Sequence, residues 1–309
     1  MLFLDLDDTL LSSDLSISEE NLNAIRRASD IGVKVIICTG RGIFSVQHIA
    51  EKLQIEWNNC YIICLNGGAV YKGFPPTLIK ERLFDNQSAL LIYETAKKYG
   101  VDVQIYRDDM LILDHISEQV QMYIEKLKPN YILIDNIADY DGKIAKVLLI
   151  GPNDQLLKIE KELQQKLKGR FNIFFSNPHY LEFTGIGTTK GEAMAELSKV
   201  AGIDLCQTIA MGDSFNDISM IKTAGLGIAV RNAVDPLKSQ ADYITKNTHD
   251  ESAVAEVIDR FIFNIGKTNK NIYKFRFPVT IFIIVFVIEQ LLANAFGQGS
   301  QASRCRFCP

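Results

Sequence analysis

Three short apolar runs near the start of the chain, Met1–Leu6, Val33–Cys38 and Tyr61–Leu65, are separated by stretches of helical periodicity. Such alternation is the signature of βαβ units, whose parallel strands are covered on both faces by helices and therefore read as apolar runs. Val33–Cys38 is rich in β-branched residues and closes on Thr39-Gly40-Arg41. The helices between the runs have their own marks. Ser16–Glu19 has capping-box spacing, Leu22, Ile25 and Ala28 form a stripe that Gly32 ends, and Ile43–Leu53 supplies the next helix. The rhythm returns late in the chain, with a helix at Thr189–Val200, a strand at Thr208–Met211, a helix at Ile218–Thr223, a strand at Gly227–Val230 and a closing helix near Ser252–Phe263. The expected fold is α/β, a doubly wound, Rossmann-like parallel sheet whose two halves are split in sequence.

Between those halves the rhythm changes. Pro75-Pro76 breaks the chain, and Val101–Tyr106 and Met110–Leu113 flank the polar turn Arg107-Asp108-Asp109 in a hairpin pattern. Helices at Ser117–Leu127 and Gln155–Leu167 and strands at Ala145–Ile150, Asn172–Phe175 and Tyr180–Phe183 complete an α+β insertion. At 309 residues the chain has room for two packed units. The organisation expected is a core at 1–73 and 186–266, an inserted α+β cap at 74–185, and a tail at 267–309. A net charge of -4 gives no electrostatic footprint for nucleic acid, so an anionic ligand must be held by local groups. Cys38, Cys60, Cys64 and Cys206 sit in or beside apolar runs and are expected to be buried thiols, while Cys305 and Cys308 lack the second pair of a four-ligand zinc site. No export leader is legible at the N-terminus, so a cytoplasmic location is expected.

Asp5-Leu6-Asp7-Asp8-Thr9 closes the first strand, and ligands of open parallel sheets bind at the carboxyl ends of strands. If that strand continues, Asp5 and Asp7 point the same way. Two carboxylates forced together repel unless a cation neutralises them, and a hard divalent ion such as Mg²⁺ does so; a solvated acidic turn is the alternative for an isolated pair. Gly212-Asp213-Ser214-Phe215-Asn216-Asp217 repeats the arrangement at another strand end, where an acid-rich helix start is the competing reading. Two acid-tipped strands in one sheet favour a metal site. Thr39-Gly40 also follows a strand and offers a hydroxyl and backbone N–H groups to phosphate oxygens, unless it is an ordinary turn. Lys190 follows Thr188-Thr189, which read as a helix N-cap, and a lysine in the first turn opposes the helix dipole unless an anion compensates it. Gly185–Lys190 fits neither a Walker loop nor a dinucleotide fingerprint, and the four histidines lack metal or triad spacing.

Taken in order, DLDDTLL at 5–11, CTGR at 38–41, LNGG at 65–68, TKGEAM at 189–194 and MGDSFNDISMI at 211–221 resemble the haloacid dehalogenase-type phosphatases, in particular the Cof-like group with a large α+β cap. The resemblance covers residues 1 to about 263, and the later Arg231-Asn232-Ala233 is similar to the family's glycine-asparagine-alanine. It implies that Asp5 attacks phosphorus and that Asp7 protonates the leaving oxygen and then activates water. It further implies that Asp5, Asp213 and the Asp7 carbonyl bind Mg²⁺, with Asp217 supporting the lysine or the metal. Thr39, Gly40, Arg41, Asn66, Lys190, Asn216 and the Leu6 amide would hold phosphate or substrate. Asp8 stands where the family more often has glycine. The implied partner is a small phosphomonoester, with sugar phosphates, flavin or pyridoxal phosphates and nucleotides all compatible with the motifs. A phosphomutase and a non-catalytic, tail-tethered binder of phosphometabolites are the alternatives. In the tail, Lys267, Lys270, Lys274 and Arg276 precede the apolar stretch 277–296, whose uninterrupted run is shorter than the ~20 residues of a bilayer span, so membrane contact is not favoured.

Overall fold

The computed structural model of the protein describes residues 1–55, 60–107 and 109–263. In chain order the strands are β1 (Leu2–Leu4), β2 (Val35–Cys38), β3 (Tyr61–Cys64), β4 (Ala69–Lys72) and β5 (Thr77–Glu81). There follow β6 (Asp102–Arg107), β7 (Met110–Leu113), β8 (Asn130–Leu133), β9 (Lys146–Ile150), β10 (Phe171–Asn177) and β11 (Tyr180–Gly185), then β12 (Ile209–Gly212), β13 (Leu226–Ala229) and β14 (Tyr243–Ile244). One sheet has the order β14-β13-β12-β1-β2-β3-β4-β5 and the other β10-β11-β9-β6-β7-β8. From β14 to β3 neighbouring strands of the first sheet are parallel, as the apolar runs require, and β1 at its centre has all three residues fully buried. The α/β class read from the sequence holds.

The connecting helices include α1 (Glu19–Asp30) and α2 (Gln47–Leu53). The cap of α1 is Ser18, whose side chain accepts from the Asn21 N–H at 3.2 Å, and not Ser16 as the capping-box spacing suggested. Ser16 is committed to a turn instead, its N–H donating to Asp14 Oδ1 at 2.9 Å. Pro75-Pro76 forms the bend of the β4–β5 hairpin, so Thr77–Glu81 joins the larger sheet antiparallel to β4. Cys38, Cys60 and Cys64 are buried, but Cys206 is exposed, because the short 3-10 turn Leu205–Gln207 carries it to the surface ahead of β12.

The smaller sheet is two-faced by the period of two that strands impose. Val103, Ile105, Val147, Leu149, Leu181 and Phe183 pack with residues of α3 (Asn86–Lys98) and α5 (Asn153–Lys166) in one apolar cluster. The intervening Gln104, Tyr106, Lys146, Leu148 and Glu182 take the other face, and they are buried as well. That face looks into the cleft shared with the larger sheet, where α4 (Glu118–Leu127) also contributes.

Residues 267–309, with the apolar stretch 277–296 and the Cys305 and Cys308 pair, lie outside the described residues. Among the described residues no helix is long and apolar enough to cross a membrane.

Candidate active site

β1 ends at Leu4, paired with Ile37 and Met211, while its neighbours β2 and β12 run on to Cys38 and Gly212. The Asp5 N–H makes the last ladder bond, to the Met211 carbonyl at 3.1 Å, and the chain then turns. Asp5 and Asp7 are thus presented by a loop and not by the pleat of a continuing strand. The loop is closed by the Leu11 N–H donating to the Leu6 carbonyl at 2.8 Å, and it passes through Asp8 at φ 53°. That left-handed conformation explains why glycine suits the position and why Asp, among the few side chains that tolerate it, can stand there. Asn232 fastens the turn by donating from Nδ2 to the Asp8 carbonyl at 2.8 Å.

Opposite the loop, helix α6 (Lys190–Val200) starts under the Thr189 cap, whose side chain accepts from the Glu192 N–H at 3.2 Å. Lys190 is fully buried, and its Nζ donates at 2.5 Å to Asp5 Oδ1 and at 2.5 Å to Asp217 Oδ1. The loop before it packs tightly: Gly67 sits at φ +100°, and a Cβ there would lie 2.6 Å from the Thr189 carbonyl oxygen. Asp217 uses its other oxygen, Oδ2, to accept the Asp213 and Ser214 N–H groups at 3.0 Å each, ahead of helix α7 (Ile218–Thr223). Carboxylate oxygens of Asp5, Asp213 and Asp217 all lie within 4.8 Å of one another. An all-oxygen acidic set with one ammonium for three carboxylates retains negative charge and fits a hard divalent cation.

The electrostatics follow from this crowding. Burial, then the neighbouring Asp217 carboxylate, pushes Asp5 up to about 7 despite Lys190. Burial and the Asp5 carboxylate likewise raise Asp213 well above the ordinary carboxylate range. For Lys190, burial favours the neutral amine, but the Asp217 and Asp5 charges outweigh it and hold the ammonium above its usual range. Asp7 is different. Burial works to raise its carboxyl, yet Arg41 wins, donating from Nε to Oδ2 at 2.8 Å and from Nη2 to Oδ1 at 2.5 Å, and the net is a lowered pKa.

A cavity of about 420 Å³ opens over these groups, and Asp5, Asp7, Thr39, Gly40, Arg41, Asp213 and Asn216 all line it. Lys190, Asp217 and Asn66 lie behind that wall and reach it through hydrogen bonds, Asn66 by accepting from Asn216 Nδ2 at 3.0 Å. The Thr39 hydroxyl accepts the Arg41 N–H at 3.1 Å, and the Leu6 side chain is buried in the core. The cap-side wall, with Tyr123, Lys126, Lys146, Tyr180 and Glu182, escaped the motif reading. For Lys146 and Glu182 the only sequence signal is alternation on β9 and β11, which places them opposite the apolar cluster without saying what covers them.

Residues 2–258 match the family model described as haloacid dehalogenase-like hydrolase. The 5-amino-6-(5-phospho-D-ribitylamino)uracil phosphatase YwtE of Bacillus subtilis is 32% identical, the match covering 84% of this chain and 96% of that protein. The HMP-PP phosphatase of Escherichia coli is 26% identical over 78% of this chain and 87% of its own length. Among solved structures, a haloacid dehalogenase-like hydrolase from Bacteroides thetaiotaomicron aligns with a TM-score of 0.75 and 31% identity, covering 84% of this chain and 98% of that one.

Proposed function

Given that the chain belongs to the haloacid dehalogenase-like hydrolase family and is a phosphatase of it, we propose that it hydrolyses small phosphomonoesters through an aspartyl-phosphate on Asp5. The observation that carries this reading is the buried Lys190 ammonium, which ties Asp5 to Asp217 beside Asp213 at the floor of a cavity that Asp7 also lines. The relatives named as phosphatases of small phosphorylated metabolites support the substrate class.

In the first step an Asp5 carboxylate oxygen attacks phosphorus, the bond from phosphorus to the ester oxygen breaks, and Asp7 gives that oxygen a proton. In the second, Asp7 takes a proton from a water that attacks the acyl phosphate, releasing inorganic phosphate and restoring Asp5. The Thr39 hydroxyl, the Gly40 and Leu6 amides, Asn216 and the Lys190 ammonium hold the phosphoryl oxygens in place, which is where most of the barrier reduction in phosphoryl transfer arises. A Mg²⁺ held by the Asp5 and Asp213 carboxylates and the Asp7 carbonyl would neutralise the charge of the transferred group. Asp217 is assigned to support Lys190, since its oxygens are already committed to that ammonium and to two backbone amides. A cytoplasmic location belongs to the same reading, supported by the free thiols of Cys38 and Cys64 on adjacent strands. The test is a screen for phosphate release from a panel of phosphorylated metabolites, in Mg²⁺ and in chelator. Release that needs the metal supports the reading, and release unaffected by chelation sinks it.

Two pH effects follow. Protons and metal compete for Asp5, whose carboxyl is raised from about 4 in the unfolded chain to about 7 in the fold. A raised carboxyl pKa means that the metal-free fold loses this contribution to stability as pH rises through that window. The increase in Tm produced by Mg²⁺ is therefore expected to grow across the window and level off above it, as measured by thermal unfolding with and without the ion. An increment independent of pH counts against Asp5 as a ligand. The second concerns Arg41, which holds the Asp7 carboxyl low. In Arg41→Ala only burial remains of the two dominant influences, so Asp7 keeps its proton to higher pH. The alkaline limb of the kcat/KM profile should shift upward, because the ionised carboxylate loses its charge-assisted partner. A profile that stays in place would remove Asp7 as the proton donor.

A further inference from the structure

The mechanism above leaves one buried ion pair unused. Lys146 on β9 and Glu182 on β11 are 2% and 5% exposed at their side chains, with Nζ 3.1 Å from Oε2. Removing two charges from water is costly unless good geometry and further hydrogen bonds compensate, so the partners of such a pair indicate what it does. Lys146 Nζ donates to the Gly40 carbonyl at 2.8 Å and lies 4.2 Å from the centre of the Tyr106 ring. Glu182 Oε2 accepts from Asn66 Nδ2 at 2.9 Å, and Asn66 Oδ1 accepts from Asn216. Both side chains come from the smaller sheet, and both reach into loops at the carboxyl ends of β2 and β3 in the larger one.

We propose that Lys146 and Glu182 are positioning residues through which the smaller sheet sets the phosphate-holding loop at Thr39–Arg41 and aims Asn216 at the cavity; the proposal rests on reading that loop as phosphate-holding. The Gly40 carbonyl that receives Lys146 belongs to the same peptide unit as the Arg41 N–H, and that N–H donates to the Thr39 hydroxyl. Fixing the plane of this one peptide sets the Thr39 hydroxyl on one side and the Arg41 arm that grips Asp7 on the other. Glu182 does the same for Asn66, whose amide it orients so that the oxygen is left for Asn216. Space is tight here as well, since a Cβ on Gly40 would stand 3.2 Å from the Asn66 side chain. A displacement of the smaller sheet is therefore passed to the loop by two charge-assisted contacts, and the loop is in register only when that sheet is seated.

A pair that merely glues the two layers together would affect stability alone, and the double variant Lys146→Met with Glu182→Leu separates the two roles. It replaces the pair by apolar groups of similar reach, a change that commonly preserves stability where either single change leaves a buried charge unpaired. The expected result is a Tm near that of the wild type together with a kcat reduced roughly 10- to 100-fold, the scale of a small misplacement of catalytic groups. Orthovanadate, in the presence of Mg²⁺, should bind about tenfold more weakly, and amide exchange over residues 39–42 and 65–68 should speed up while α3 and α5 stay protected. Recovery of kcat and vanadate affinity along with Tm, or unchanged exchange in those two loops, overturns the proposal. If the double variant does not fold, Glu182→Gln, which keeps shape and removes charge, is read by the same exchange measurement. A wild-type protein that releases no phosphate from any ester would instead refute the phosphatase reading, and loop exchange still judges the positioning role.

Discussion

Asp5→Asn is expected to abolish phosphate release while leaving the fold assembled. The carboxamide has the shape of the carboxylate and its oxygen can still accept from Lys190, so the contact at 2.5 Å has a successor, but an amide oxygen does not form the acyl phosphate. Turnover should fall by roughly 10⁴-fold or more, the scale on which removing a covalent nucleophile acts. Stability should move little, or rise in the absence of metal, because Asp5 is a carboxyl whose pKa burial and Asp217 have raised to about 7. An ionised group that the fold disfavours is being replaced by a neutral one. The discriminating measurement pairs phosphate release with thermal unfolding. A variant that unfolds early would make the rate uninformative, and one that stays folded and still turns over at more than a per cent or so of the wild-type rate excludes Asp5 as the nucleophile.

Lys190→Met is expected to damage both the fold and the chemistry. The side chain is fully buried and bridges two carboxylates that are themselves buried, so its loss leaves Asp5 and Asp217 facing each other beside Asp213 with no cation. Removing one partner of a buried ionic cluster costs about 3–5 kcal/mol. For a folded unit of this size that corresponds to a fall in Tm of roughly 6–20 °C. Acid should narrow the gap to wild type, since protonating the carboxylates removes the repulsion, and Mg²⁺ should narrow it at neutral pH for the same reason. Turnover in the folded fraction should fall about 10²- to 10³-fold, the loss typical of one charged group at a phosphoryl or oxyanion site. A variant with unchanged Tm and unchanged kcat would show that Lys190 neutralises neither the acids nor the phosphoryl group.

Much of this site was written in local chemistry. Asp5 and Asp213 stand at strand ends where ligands bind and where acids brought together repel, and Lys190 stands at a helix start whose dipole opposes it, and these features are visible in a string of letters. The Thr189 cap and the Asp pair after β1 were read in the same way, and the cluster within 4.8 Å is where those separate readings meet. The details that local reasoning misplaced were set by competition between neighbours. Ser16 has the spacing of a cap but is drawn into the Asp14 turn, so Ser18 caps α1. Pro75-Pro76 has the look of a boundary but serves as a bend inside the larger sheet.

Lys146 and Glu182 mark the real limit. Alternation on β9 and β11 sends them to the face opposite Val147, Leu149, Leu181 and Phe183, and a charged residue on such a face reads as solvent-exposed. They are buried because loops of the larger sheet cover that face, Gly40 lying 106 residues from Lys146 in sequence and Asn66 116 residues from Glu182. The side-chain period is a property of one strand and is fixed by its backbone, whereas burial is a property of two surfaces meeting. The amino-acid order therefore brought out Asp5, Asp7, Thr39, Gly40, Asp213 and Lys190 as candidates, since strand ends and helix starts are local features, and the roles proposed for them come from the family resemblance. Which residues hold them in register depended on how the two sheets close on one another, because the energetics of a charge change sign between water and a packed interface.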